Sequence, residues 1–280
     1  MPSEKRARQR AAREQRLAAE AQARKRRVRL RNGGIIVVVA AVVVGIAFLV
    51  SGGGGAPKTV AGKSGNLTVA EAAKDANKTD QAAANKLAVK AGCPASPTAR
   101  VNTINYTSAP PTVIDTSKLY SATIKTTAGT IVMSLYAKAA PNTVNNFVYL
   151  AKKGYFNCES FFRVVKGFVD QTGSNLPPNG EPTYRFGNEN VPSTYATGDV
   201  AMANSSKADT NGSEFFFVST GGGSQLSNTD GGYSLFGSVT SGMNVVDQIN
   251  SEGAAATSEE GTPAVIQRIL KVTIHEAAGL

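Results

Sequence analysis

The stretch FFRVVKGFVDQTG, residues 161–173, carries the pattern that decides the fold class. Strand-prone runs at 160–165 and 168–171 flank Lys166-Gly167. Successive strand side chains face opposite sides, so Phe162 and Val164 are expected to point inward and Arg163 outward, with Val169 and Gln171 sharing one face. The run EFFFV at 214–218 follows the same rule, with Phe215 and Phe217 inward and Glu214 and Phe216 outward. A surface bearing Phe216, Val169 and Arg163 is then an exposed apolar patch with one fixed cation, the character of a binding site.

Outward from this stretch the same texture continues. Strands are expected at 120–127 and 130–136, joined as a hairpin across Ala128-Gly129, and at 160–165, 168–171, 199–203, 214–219, 234–239 and 265–275. A helix should start at Pro141, where a missing N–H costs nothing, with Val144, Phe147, Val148 and Ala151 on one face. Lys152 and Lys153 suit its negative end, and Gly154 suits the left-handed cap. A second helix at 242–250 aligns Val245, Val246 and Ile249. The expected fold is mainly β: a closed eight-stranded antiparallel barrel capped by two helices.

The ends of the chain differ from this middle. Residues 1–32 hold twelve Lys and Arg against three Glu, so nine of the ten net positive charges sit in that tail. It contains no aromatic residue, which argues against a nucleic-acid surface and for a segment that sets membrane orientation. The uncharged run at 33–51, apolar throughout 35–50 apart from Gly45, is long enough to span hydrocarbon as a helix. GGGGAPK at 52–58 offers no signal-peptidase site, so the span is expected to stay uncleaved. Charge bias puts the N-terminus in the cytoplasm and the rest outside. Residues 52–117, rich in Gly, Ala, Lys and Asn with a weak helical stretch near 69–91, are expected to form a flexible stalk. The folded domain is expected at 118–280.

Several chemistries find no support. His275, the single histidine, lies in the last expected strand with no activated nucleophile near it in sequence. No Walker-type loop, zinc-spaced cysteine pair or calcium-loop pattern occurs, so no cofactor is expected.

Three motifs in order carry a resemblance instead. Residues 161–173 resemble the cyclophilin run FHRVIxGFMxQGG, MANSSKADTNGSEFFF at 202–217 resembles MANxxxxTNGSQFF, and YSLFGSVTSGMNVV at 233–246 resembles xxVFGxVxxGMxVV. AAPNTVNNFVYLAKKGYF at 139–156 is similar to the first helix of that family. The resemblance implies a peptidyl-prolyl cis-trans isomerase of bacterial, membrane-anchored type that assists folding of extracytoplasmic proteins. It implies Arg163 as the catalytic residue, assisted by Gln171. Phe168, Val169, Phe216 and Leu226 are then the proline pocket, Ala203 and Asn204 hold the substrate backbone, and Glu214 and Tyr233 complete the site. Glu214 stands where the family usually has Gln, Tyr233 where many eukaryotic members have His, and Gln225 where they have Trp. The last change implies weak cyclosporin binding. A cyclophilin-like domain that binds proline-containing segments without turnover, as chaperone or scaffold, is the competing reading. Cys93 and Cys158 are expected to pair outside the cell and pin the stalk to the domain, although two free thiols fit the sequence as well.

Overall fold

Strand pairing begins with the expected hairpin, β1 (Leu119–Thr126) against β2 (Thr130–Leu135), in a computed structural model. The structure describes residues 69–99, 106–174, 182–205, 209–226, 231–254 and 261–279. The basic tail at 1–32 and the apolar span at 33–51 lie outside the described residues, among which no helix is long and apolar enough to cross a membrane.

The other strands are β3 (Arg163–Val165), β4 (Val169–Thr172), β5 (Asp199–Met202), β6 (Phe215–Val218), β7 (Leu235–Ser241) and β8 (Ile269–Ala277). They form one antiparallel sheet in the order β3-β4-β6-β5-β7-β2-β1-β8. The expected closed barrel is corrected here to a curled half-barrel. Its edge strands β3 and β8 share no ladder, and their leading residues meet in one isolated bridge, Ser160 with Arg268. The outer edge of β3 is taken instead by backbone hydrogen bonds to Ala254 and Gly261, which keep β8 from pairing with it.

Alternation sends Ala122, Ile124, Ile131, Met133, Phe215 and Phe217 into the main core, each fully buried. In the segment before β3 the core residue is Phe161, not Phe162, which is half-buried. The reason is that regular pairing starts at Arg163, so the pleat cannot be extrapolated backward through residues 161 and 162.

The helix α2 (Pro141–Lys152) lays Val144, Phe147, Val148 and Ala151 on this core, as expected. Its N-cap residue, Ala140, offers no side-chain acceptor, and its first turn has no acid. Glu189 supplies both from a distant loop. Its two oxygens accept from the backbone N–H and side chain of Asn142 and of Thr143, at 2.7–3.1 Å. Glu189→Ala is therefore expected to cost about 2 kcal/mol, the upper range for a lost cap reinforced by the helix dipole. An unchanged urea midpoint at constant slope would count against this cap.

The helix α1 (Val69–Lys90) runs through the stretch expected to be a flexible stalk. That expectation is corrected for the described part of it. Ala84 and Ala88 are buried, Gln81 exchanges two hydrogen bonds with the backbone of Ile266, and Cys93 is disulfide-bonded to Cys158. Arg268, 1% exposed, donates to the carbonyl of Pro94 and to Asn85 Oδ1. Such a face is built from alanines and amides, so it leaves little hydrophobic periodicity to read.

The remaining helices among the described residues are α3 (Gly223–Leu226), which periodicity does not reveal, and α4 (Met243–Ser251), which buries Val245, Val246 and Ile249 as expected.

Candidate active site

The register of five strands sets one lateral row of residues: Arg163 on β3 opposes Gln171 on β4, which opposes Phe216 on β6, then Ala201 on β5, then Leu235 on β7. Directly opposed residues project to the same face of a sheet. This row lies on the face turned away from the main core. It gathers a second apolar cluster of Val169, Tyr195, Ala201, Phe216, Val218 and Leu226, with Phe168, Ala203, Tyr233 and Leu235 packed on it. The expectation of an exposed patch is thus corrected. Phe216 is 3% and Val169 2% exposed, because the 182–198 loop and α3 cover that side of the sheet.

What stays open is a cavity of about 190 Å³ lined by Arg163, Phe168, Val169, Gln171, Ala203, Asn204, Phe216, Leu226 and Tyr233. The Arg163 guanidinium carbon lies 6.0 Å from the centre of the Phe168 ring. That is within cation–π range, so the ring steadies the cation without occupying its N–H groups. Tyr233 meets Phe216 edge to face at 5.1 Å and forms the opposite wall.

Two close backbone approaches shape the floor. A Cβ at Gly222 would lie 2.0 Å from the Phe168 carbonyl oxygen, and one at Gly223 would lie 1.9 Å from that of Tyr195. Only glycine lets α3 come near enough to bring Leu226 into the cavity. Gln225 donates to the Gly167 carbonyl at 2.9 Å, which ties α3 to the β3–β4 turn.

Glu214 lies beside the first cavity rather than in its lining. It precedes β6 and lines a neighbouring cavity of about 360 Å³ together with Arg185, Ala203, Asn204, Ser205, Thr210 and Gly212. It shares a face with Phe216 but lies one pleat further along, and it reaches the first cavity by accepting a hydrogen bond from Gln171 Nε2 at 2.6 Å. This charge-assisted bond orients the Gln171 amide.

A family sequence model described as cyclophilin type peptidyl-prolyl cis-trans isomerase/CLD matches residues 121–274. The chain belongs to the cyclophilin family. A peptidyl-prolyl cis-trans isomerase of Helicobacter pylori is 39% identical over 138 residues, covering 48% of this chain and 82% of the relative. Peptidyl-prolyl cis-trans isomerase-like 1 of Mus musculus is 36% identical over 157 residues, covering 53% and 88%. Among solved structures, a cyclophilin type peptidyl-prolyl cis-trans isomerase of Cryptosporidium parvum is 24% identical with a TM-score of 0.48, covering 56% of this chain and 98% of its own.

Within this cyclophilin site, three supporting residues had escaped sequence reasoning. The Tyr195 hydroxyl donates to the Tyr233 carbonyl at 2.7 Å and accepts from the Tyr233 N–H at 2.8 Å, fixing the wall residue at its backbone. Burial pushes the Tyr195 phenol above its ordinary range, so it remains a donor. Asn188 Oδ1 accepts from both Asn204 and Asn211, while Asn204 also donates to the Gly232 carbonyl at 2.9 Å. This chain of amides holds Asn204 at the cavity rim. Tyr195 and Asn188 fall between the motifs at 161–173 and 202–217, outside the residues that carry the resemblance. The other expected site residues line the cavity together.

Among the described residues, no group of three His, Cys, Asp or Glu is placed to hold a metal ion. His275 is exposed on β8, within 3.0 Å of Thr123 Oγ1 on the neighbouring strand.

Proposed function

We propose that this bacterial isomerase turns X-Pro bonds in extracytoplasmic polypeptides, held at the membrane by residues 33–51 with the N-terminus in the cytoplasm. The observation that carries the catalytic part is the cross-strand row, which sets one fixed guanidinium beside an apolar cavity the size of a small side chain. An X-Pro bond resists rotation by about 18–20 kcal/mol because of its partial double-bond character. Rotation breaks conjugation and leaves a lone pair on the prolyl nitrogen. Arg163 donates to that lone pair, a contact absent in the planar ground state and therefore catalytic rather than merely binding. Phe168, Val169, Phe216, Leu226 and Tyr233 hold the proline ring while Gln171, Ala203 and Asn204 hold the neighbouring backbone. No covalent step and no cofactor is required. Gln225 in place of the family's Trp is expected to weaken cyclosporin binding.

The location rests on the charge step at residue 32, the uncharged run beyond it, and a disulfide that suits an oxidising compartment. The full-length protein in detergent micelles is expected to accelerate cis-to-trans exchange of a proline tetrapeptide in proportion to its concentration. Exchange that stays at the uncatalysed rate, tens of seconds or longer, would refute the enzyme. Protease added to intact cells is expected to remove the domain and spare the tail at 1–32. Loss of the tail first would reverse the topology.

A further inference from the structure

β4 presents two faces. Val169 and Gln171 point into the active site, so Asp170 between them points the other way and is fully buried. An acid in that position needs a reason, because an unpaired buried charge is strongly unfavourable. Its ladder neighbours, Val164 on β3 and Phe217 on β6, are both apolar and buried. The polar group that meets it is Asn250 of α4, which donates Nδ2 to Asp170 Oδ1 at 2.7 Å.

The same amide makes two more contacts. Nδ2 also donates to the Val165 carbonyl at 3.0 Å, and Oδ1 accepts from the Gly167 N–H at 2.8 Å. One side chain thus fastens both limbs of the β3–β4 hairpin and the turn between them. That hairpin supplies Arg163, Phe168, Val169 and Gln171, four of the cavity's residues. Asp170 Oδ2 has no hydrogen-bond partner, an arrangement a neutral carboxylic acid tolerates far better than a carboxylate.

We propose that the buried Asp170–Asn250 pair is the positioning element of the active-site hairpin, and that ionisation of Asp170 loosens it and lowers turnover. Burial pushes the Asp170 carboxyl up to about 8 against the pull of the Asn250 hydrogen bond, while Asp247 of α4 and Glu252, which caps the end of α4, add repulsion. The acid is therefore neutral below that range and charged above it. Since this lies above the ordinary value of 3.8, the group's contribution to stability is full in acid and falls as pH rises between the two.

The proposal rests on Arg163 and Gln171 serving the reaction, so its test reads the carboxyl as well as the turnover. In the full-length protein, kcat/KM is followed between about pH 5.5 and 9.5 for wild type and Asp170→Asn, whose amide copies the neutral acid. Wild type is expected to lose about fivefold or more above pH 8, with the ¹³C signal of the Asp170 carboxyl and the affinity for a proline peptide moving along the same curve. Asp170→Asn is expected to stay level. A carboxyl signal that does not titrate between about pH 6 and 10, or an Asp170→Asn profile that declines as wild type does, overturns the proposal. Peptide affinity that follows the carboxyl without any turnover upholds the pair and refutes the isomerase.

Discussion

Arg163→Ala is expected to lower kcat/KM by about 100- to 1000-fold, the loss seen when one donor to a developing lone pair or oxyanion is removed. Affinity for a proline peptide in its ground state should change far less, because the contact forms only as the bond twists. The split follows from the geometry. Arg163 sits at the end of the cross-strand row, stacked near Phe168, while the cavity that receives the ring is walled by other strands. Arg163→Lys should rescue poorly, since an ammonium cannot reproduce the planar fork and has no flat face to set against Phe168. Line-shape or exchange measurements on a bound proline peptide, combined with a binding titration, separate the two effects. Turnover at the wild-type level in the alanine variant would remove Arg163 from the mechanism.

Replacing both Cys93 and Cys158 by alanine is expected to cost about 4 kcal/mol, the loop-closure entropy of a cross-link spanning 65 residues. That is a large fraction of the roughly 5–15 kcal/mol that stabilises an ordinary domain. The loss has a location. Cys93 follows α1, and the carbonyl of Pro94 beside it receives the guanidinium of Arg268, the buried residue at which the two sheet edges bridge. Without the disulfide, α1 is expected to detach first and expose the seam between β3 and β8, so trypsin should cut within 74–90 before it cuts the sheet. Identical urea midpoints for the two proteins, with and without reductant, would show the cross-link to be energetically silent.

The sequence anticipated elements whose signal is local. The β1–β2 hairpin, α2 from Pro141, and the inward Phe215 and Phe217 all follow from periodicity or turn chemistry within a few residues. Every cavity residue except Leu226 lies within one of the three ordered motifs, and antiparallel register sets Arg163, Gln171 and Phe216 in one row. The errors have a common source. Alternation extended into irregular chain points Phe162 inward, and nothing local shows that Tyr195, Tyr233 and Leu226 cover Phe216.

Within regular strands, the face that each residue presents is written in the chain, since side-chain alternation is a property of the extended backbone alone. What meets those faces is settled by the folding of distant segments onto one another. Glu189 caps a helix from 46 residues away, Asn250 reaches Asp170 across 80, and Arg268 holds the arm after α1 across 174. Each is a polar pairing between segments that approach only after the sheet has curled. A single polar side chain carries no periodicity by which its distant partner could be recognised, and burial then makes that partner indispensable.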